Sequence, residues 1–152
     1  MTISEELKQS SFQNEETKAI VNLIFTGNFI IQKQQELLKP FGISMQQFNV
    51  LRILKGQKGQ AITVLSITER MLDKMSNASR LVDKLFVKKL VSRVPCEKDR
   101  RAVDIFILPA GLALLDKIDV RQQTFGEQIN QFGNGKLKEL NELLDQFRKS
   151  IL

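Results

Sequence analysis

Residues 67–90 read Ile67-Thr68-Glu69-Arg70-Met71-Leu72-Asp73-Lys74-Met75-Ser76-Asn77-Ala78-Ser79-Arg80-Leu81-Val82-Asp83-Lys84-Leu85-Phe86-Val87-Lys88-Lys89-Leu90. The stretch predicts the end of one short helix (64–72), a tight turn, and a second helix capped by Ser76 and running to about Lys89. At about 100° per residue, Ala78, Leu81, Val82 and Leu85 fall on one side of that second helix. Ser76, Asn77, Ser79, Arg80, Asp83, Lys84 and Val87 fall elsewhere. An apolar stripe backed by short polar and basic groups predicts a helix held by its inner face and read by its outer one.

Downstream the period changes from helical to extended. Residues 91–96 and 103–108 are β-branched or aromatic runs around the charged tip Glu97-Lys98-Asp99-Arg100-Arg101, which predicts a hairpin. Pro95 marks a strand edge or end. Upstream, Asn14 caps an amphipathic helix over 14–39, closed by Pro40 and Gly42, and Ser44 caps another over 45–54. Pro109 opens a long helix over 110–132, Gly133-Asn134-Gly135 breaks it, and 136–151 forms the last. Residues 1–13 are expected to be loosely held. The fold class is therefore mainly α with a small β-hairpin wing, in a single domain over 1–152. A winged helix-turn-helix lobe is expected over 44–108, and a helical dimerisation lobe from 14–39 and 110–151.

The chain carries 23 Lys and Arg against 17 Asp and Glu, a net charge of +6. Residues 74–101 hold nine bases (Lys74, Arg80, Lys84, Lys88, Lys89, Arg93, Lys98, Arg100 and Arg101) against three acids (Asp83, Glu97 and Asp99). That segment alone equals the whole excess, and the remainder is neutral. A neutral scaffold with one basic segment predicts a surface for a polyanion. With 1 Cys and 0 His, an internal disulfide, a His/Cys zinc site and a Ser-His-Asp triad are all excluded. No metal site, cofactor or enzymatic activity is expected. The N-terminus lacks the marks of a signal peptide, and no apolar run reaches membrane-spanning length, so a soluble, cytoplasmic protein is expected, with no membrane partner.

The stretch Ile67–Leu85, followed by Lys88-Lys89-Leu90-Val91-Ser92-Arg93, Asp99-Arg100-Arg101 and Leu108-Pro109-Ala110-Gly111-Leu112-Ala113-Leu114-Leu115, resembles the MarR family of bacterial winged helix-turn-helix regulators. The flanking helices match in order and length. Two departures stand out: Leu72 where a turn glycine is frequent, and Leu90 where Gly commonly precedes the first wing strand. The resemblance implies a homodimeric, sequence-specific transcriptional regulator, in the main a repressor, bound to double-stranded DNA. It also implies that Asp99 braces the wing and that Arg101 enters the minor groove.

Residue chemistry supports the same reading. Asn77 can pair with adenine, Arg80 with guanine or phosphate, Ser79 with either kind of group, and Lys84 with phosphate. Ser76 joins them at the helix start, and Lys98, Arg100 and Arg101 form the wing's basic tip. In the long helix Leu115, Ile118, Gln122, Phe125, Ile129 and Phe132 repeat at 3-4-3-4-3, a seam suited to a twofold mate. Leu140, Leu144 and Phe147 extend that dimer surface on the last helix. A small aromatic or anionic effector, implied by the resemblance, finds its candidates at Phe25, Phe29 and Phe48 with Arg52. Cys96, close to Lys98 and Arg100, is a candidate redox group. The alternative reading is a winged-helix module for protein–protein assembly without specific DNA binding.

Overall fold

The computed structural model describes residues 1–95 and 103–152. The element order is α1 (Ile3–Glu6), α2 (Glu15–Leu38), a 3-10 turn (Lys39–Phe41), α3 (Met45–Gly56), β1 (Ile62–Thr63), α4 (Val64–Arg70), α5 (Ala78–Val87), β2 (Val91–Pro95), β3 (Val103–Ile107), α6 (Pro109–Asn130) and α7 (Asn134–Ser150). Helix starts follow local chemistry. The side chain of Asn14 accepts from the Thr17 N–H at 2.8 Å. Ser44 and Gln47 close a reciprocal capping box. Pro109 stands in the first turn of α6, where its missing N–H costs nothing.

Three strands, not two, form the sheet. Their order is β1-β3-β2, all antiparallel, with Ile62 opposite Ile105 and Arg93 opposite Ile105 from the other side. The two-residue β1 is too short to leave an alternating pattern in sequence. Pro95 lies on the edge strand β2, paired with Val103, as its missing donor requires.

The core lies in the winged lobe. Val50, Leu51 and Leu54 of α3, Ile67 of α4, Val82 and Leu85 of α5, Val91 and Ile105 of the sheet, and Leu115 and Ile118 of α6 are all buried together. Burial of Ala78, Val82 and Leu85, with Leu81 partly buried, is the expected inner stripe of α5. Leu115 and Ile118 correct the expected dimer seam. Both are fully buried within the chain, where the first half of α6 lies against α3, so neither is available to a partner.

The flanking helices behave differently. Of α2 only Leu38 is buried, while Ile20, Leu23, Ile24, Phe29, Ile30 and Ile31 are exposed. Helix α7 has no buried residue. The N-terminus is more ordered than its sequence suggests: Thr2 and Glu5 form a capping box around α1, and Ile3 is buried. No helix among the described residues is long and apolar enough to cross a membrane.

Candidate nucleic-acid interface

Helices α4 and α5 are joined by a turn built from side-chain hydrogen bonds. Asn49 of α3 accepts from the Leu72 N–H at 2.9 Å. Asp73 accepts from the Met75 N–H at 3.0 Å and from the Ser76 hydroxyl at 2.8 Å. Such Asx contacts give a tight turn without glycine, and Leu72 needs none, since its φ is not positive. Ser76 is thus engaged with Asp73 and does not cap α5. Asn77 does, accepting from the Arg80 N–H at 3.0 Å. Its carbonyl oxygen being held in the cap, the amide group of Asn77 is the part left to face a ligand.

The far end of α5 corrects the position of the missing glycine. Lys89, not Leu90, has the left-handed backbone, with φ 57°. The Leu90 N–H reaches the Leu85 carbonyl at 3.1 Å and the Lys89 N–H reaches that of Phe86 at 2.9 Å. This is a Schellman closure with lysine where glycine is favoured, sealed by the buried pair Leu85 and Leu90.

Along α5 the exposed groups include Ser79, Arg80, Asp83 and Lys84. Ser76, Asn77, Arg80 and Lys84 line one shallow cleft of about 190 Å³. Gln46 and Leu81 complete it, and Gln46, at the start of α3, was not legible in the sequence as part of this surface. Among the described residues Arg80, Lys84 and Lys89 have no ion-pair partner. Three other bases of the segment are engaged. Lys74 donates to the Glu69 carbonyl, Lys88 to that of Gly42, and Arg93 to the carboxylate of Asp83. Of these three only Arg93 is neutralised by a carboxylate, while Lys74 and Lys88 remain exposed cations. Lys98, Asp99, Arg100, Arg101 and Cys96 lie outside the described residues.

The clefts described here are not lined by Phe25, Phe29, Phe48 or Arg52, the residues expected to hold an effector. Phe29 is exposed, Phe25 is half-buried, and Phe48 packs against the core with the Arg52 guanidinium 5.0 Å from its ring centroid. Arg52 is already neutralised by Asp119 of α6, to which both its terminal nitrogens donate. A cation so paired is a poor receptor for a further carboxylate. A cleft of about 280 Å³ lies instead between Ile31 and Gln35 of α2, Met45 and Asn49 of α3, and Met71 and Asp73 at the turn.

A helix-turn-helix on an apolar core, followed by an antiparallel hairpin and flanked by long helices, defines the winged helix-turn-helix class. Residues 43–103 match the model of the MarR family. The HTH-type transcriptional regulator YsmB of Bacillus subtilis (strain 168) is 30% identical over 96 residues, which are 63% of this chain and 64% of that protein. The chain thus matches a little under two thirds of the length of this relative. A MarR transcription factor from Planctomyces limnophilus is similar in structure, with a TM-score of 0.67 and 27% identity, covering 90% of this chain and 99% of that one. A mutant MarR from E. coli complexed with operator DNA has a TM-score of 0.76 and 22% identity, over 90% and 99% of the two chains.

Proposed function

We propose that this protein is a homodimeric, sequence-specific DNA-binding regulator, acting as a repressor, whose α5 enters the major groove of an inverted repeat. The observation that carries the reading is the outer face of α5: Arg80 and Lys84 stand exposed beside Ser76 and Asn77 on a helix anchored by a buried apolar stripe. Side chains near the start of such a helix reach base edges, while cations further along meet phosphate. By resemblance of the sequence Asp99-Arg100-Arg101 to the family pattern, the minor-groove contact is assigned to Arg101, in the basic segment that also carries Lys98 and Arg100. The solved complex of the similar E. coli protein with operator DNA supports the reading.

The dimer rests on the apolar faces that the chain leaves uncovered. Ile20, Ile24 and Ile30 of α2, Ile129 of α6, Phe132 just beyond it, and Leu140 and Leu143 of α7 are exposed at the two chain ends. Exposed apolar faces of this kind are what a twofold mate buries. The partner surface is formed by Phe125, Ile129, Phe132, Leu140, Leu144 and Phe147. An inverted repeat read by such a dimer requires the two α5 helices to stand about 34–36 Å apart. A small effector would occupy the cleft beside Asn49 and Asp73, the residues that hold the turn before α5. Among the residues lining that cleft Asp73 is the one charged group, so a neutral or cationic ligand suits it better than an anion.

The test is selection of bound fragments from genomic DNA by the purified protein, alongside sedimentation of the free protein. An inverted-repeat consensus and twice the chain mass are expected, with affinity falling steeply as salt rises. No enriched motif would favour a role in protein assembly.

A further inference from the structure

Arg93 sits at the middle of β2, opposite Ile105, and its side chain turns back onto α5. One terminal nitrogen donates to Asp83, and the guanidinium lies 4.7 Å from the centroid of the Phe86 ring. Its Nε is buried and has no hydrogen-bond partner among the described residues. Asp83 and Phe86 are three residues apart on α5 and so lie on one face of the helix. Arg93 grips that face at two points, by charge and by stacking.

Resting on the DNA-binding reading above, we infer that Arg93 is a positioning residue and not a phosphate ligand. It clamps the recognition helix to the first wing strand and masks the carboxylate of Asp83. Two physical reasons converge. Asp83 lies one turn beyond Ser79 and Arg80 on the exposed side of α5, where a bare carboxylate would repel phosphate. Moreover, only residues 88–90 separate α5 from β2, and Arg93 adds a side-chain contact to the backbone closure there. A planar guanidinium held by both a carboxylate and an aromatic face fixes the angle between helix and strand better than a single contact. The recognition helix and the first wing strand β2 then move as one body.

The experiment compares the wild-type protein with Arg93→Gln and with the double variant Asp83→Asn/Arg93→Gln, on DNA recovered by the genomic selection. Affinity is measured over about 50 to 200 mM salt, and folding of each variant is checked by circular dichroism. The double variant keeps the net charge and an amide pair of similar shape. The expected result is a loss of about tenfold for Arg93→Gln, which leaves a bare carboxylate on the DNA face. In the double variant affinity should return to within about threefold of wild type with the same salt slope. If Arg93 binds phosphate, the double variant stays weak and its slope falls by about 0.9 for each phosphate left without its cation. That result overturns the inference, as does wild-type affinity in both variants. Should Arg93→Gln fail to fold, the double variant alone decides by its slope and affinity. Wild-type protein that binds no DNA refutes the reading beneath the inference, and the inference with it.

Discussion

Arg52 and Asp119 join α3 to α6 through two parallel hydrogen bonds, and Arg52 extends the link to Gln122 at 3.4 Å. Gln122 in turn donates to Gln34 of α2 at 3.0 Å. A polar chain thus crosses from the core of the winged lobe to a flanking helix. Both charges are about one-third exposed, so solvent screens part of their attraction, while the fork geometry and the Phe48 ring beneath Arg52 add to it. Arg52→Ala is expected to lower stability by about 1–2 kcal/mol in urea unfolding. Asp119→Ala should cost a similar amount, and the double variant little more than either. Fully additive losses would show that the two residues act separately.

Lys55 gives the pH dependence of the same contact. The hydrogen bond it donates to Asp116 at 2.9 Å, and then the charges of Asp116 and Asp119, hold its pKa above the ordinary 10.5, outweighing desolvation and the nearby Arg52. An amine with a higher pKa folded than unfolded contributes fully below the unfolded value and loses that contribution as pH rises through the folded one. The difference in melting temperature between wild type and Lys55→Gln should therefore stay flat from about pH 7 to about pH 9 and shrink above the ordinary lysine range. A difference that shrinks already at neutral pH would contradict this.

Gly111 is a packing glycine. A Cβ there would clash with the Leu90 carbonyl oxygen and come within 2.8 Å of the Ile107 side chain. Backbone cannot yield as a side-chain tip can, so Gly111→Ala is expected to destabilise by about 2 kcal/mol despite the better helix propensity of alanine. Thermal unfolding measures it, and an unchanged or higher melting temperature would show that α6 can shift at no cost.

Lys89 makes the opposite case. Its left-handed backbone strains an L-residue, and glycine relieves that strain while adding freedom to the unfolded chain. Lys89→Gly should raise stability by up to about 1 kcal/mol, read as a higher urea midpoint at constant slope.

Arg80 is the sharpest test of the DNA surface. Arg80→Ala should weaken operator binding by about 1–3 kcal/mol while leaving the melting temperature unchanged. Equal affinity in the variant would remove α5 from the groove.

The sequence made the helices and the wing legible because caps, Pro109 and the apolar periods are local signals. It could not distinguish a residue buried in its own chain from one reserved for a partner. Leu115 and Ile118 continue the same heptad as Ile129 and Phe132, yet only the fold shows that the first pair meets α3. Arg52 and Arg93 were equally opaque. A cation's partner 67 residues away, as Asp119 is from Arg52, leaves no local trace. The turn contacts of Asn49 and Asp73 and the two-residue β1 were hidden for related reasons: one crosses between helices, the other is too short to show a period.

The Leu90 carbonyl has one further consequence. It accepts from the Leu108 N–H at 3.0 Å and lies against Gly111, so α6 starts where α5 has just ended. From that fulcrum the 22 residues of α6 reach about 33 Å. A tilt of about 10° at the near end swings the far end through about 6 Å. In the proposed dimer, such a swing is comparable to two base-pair steps of DNA. A single methyl group at position 111 would thus be felt as an error in the distance between two half-sites.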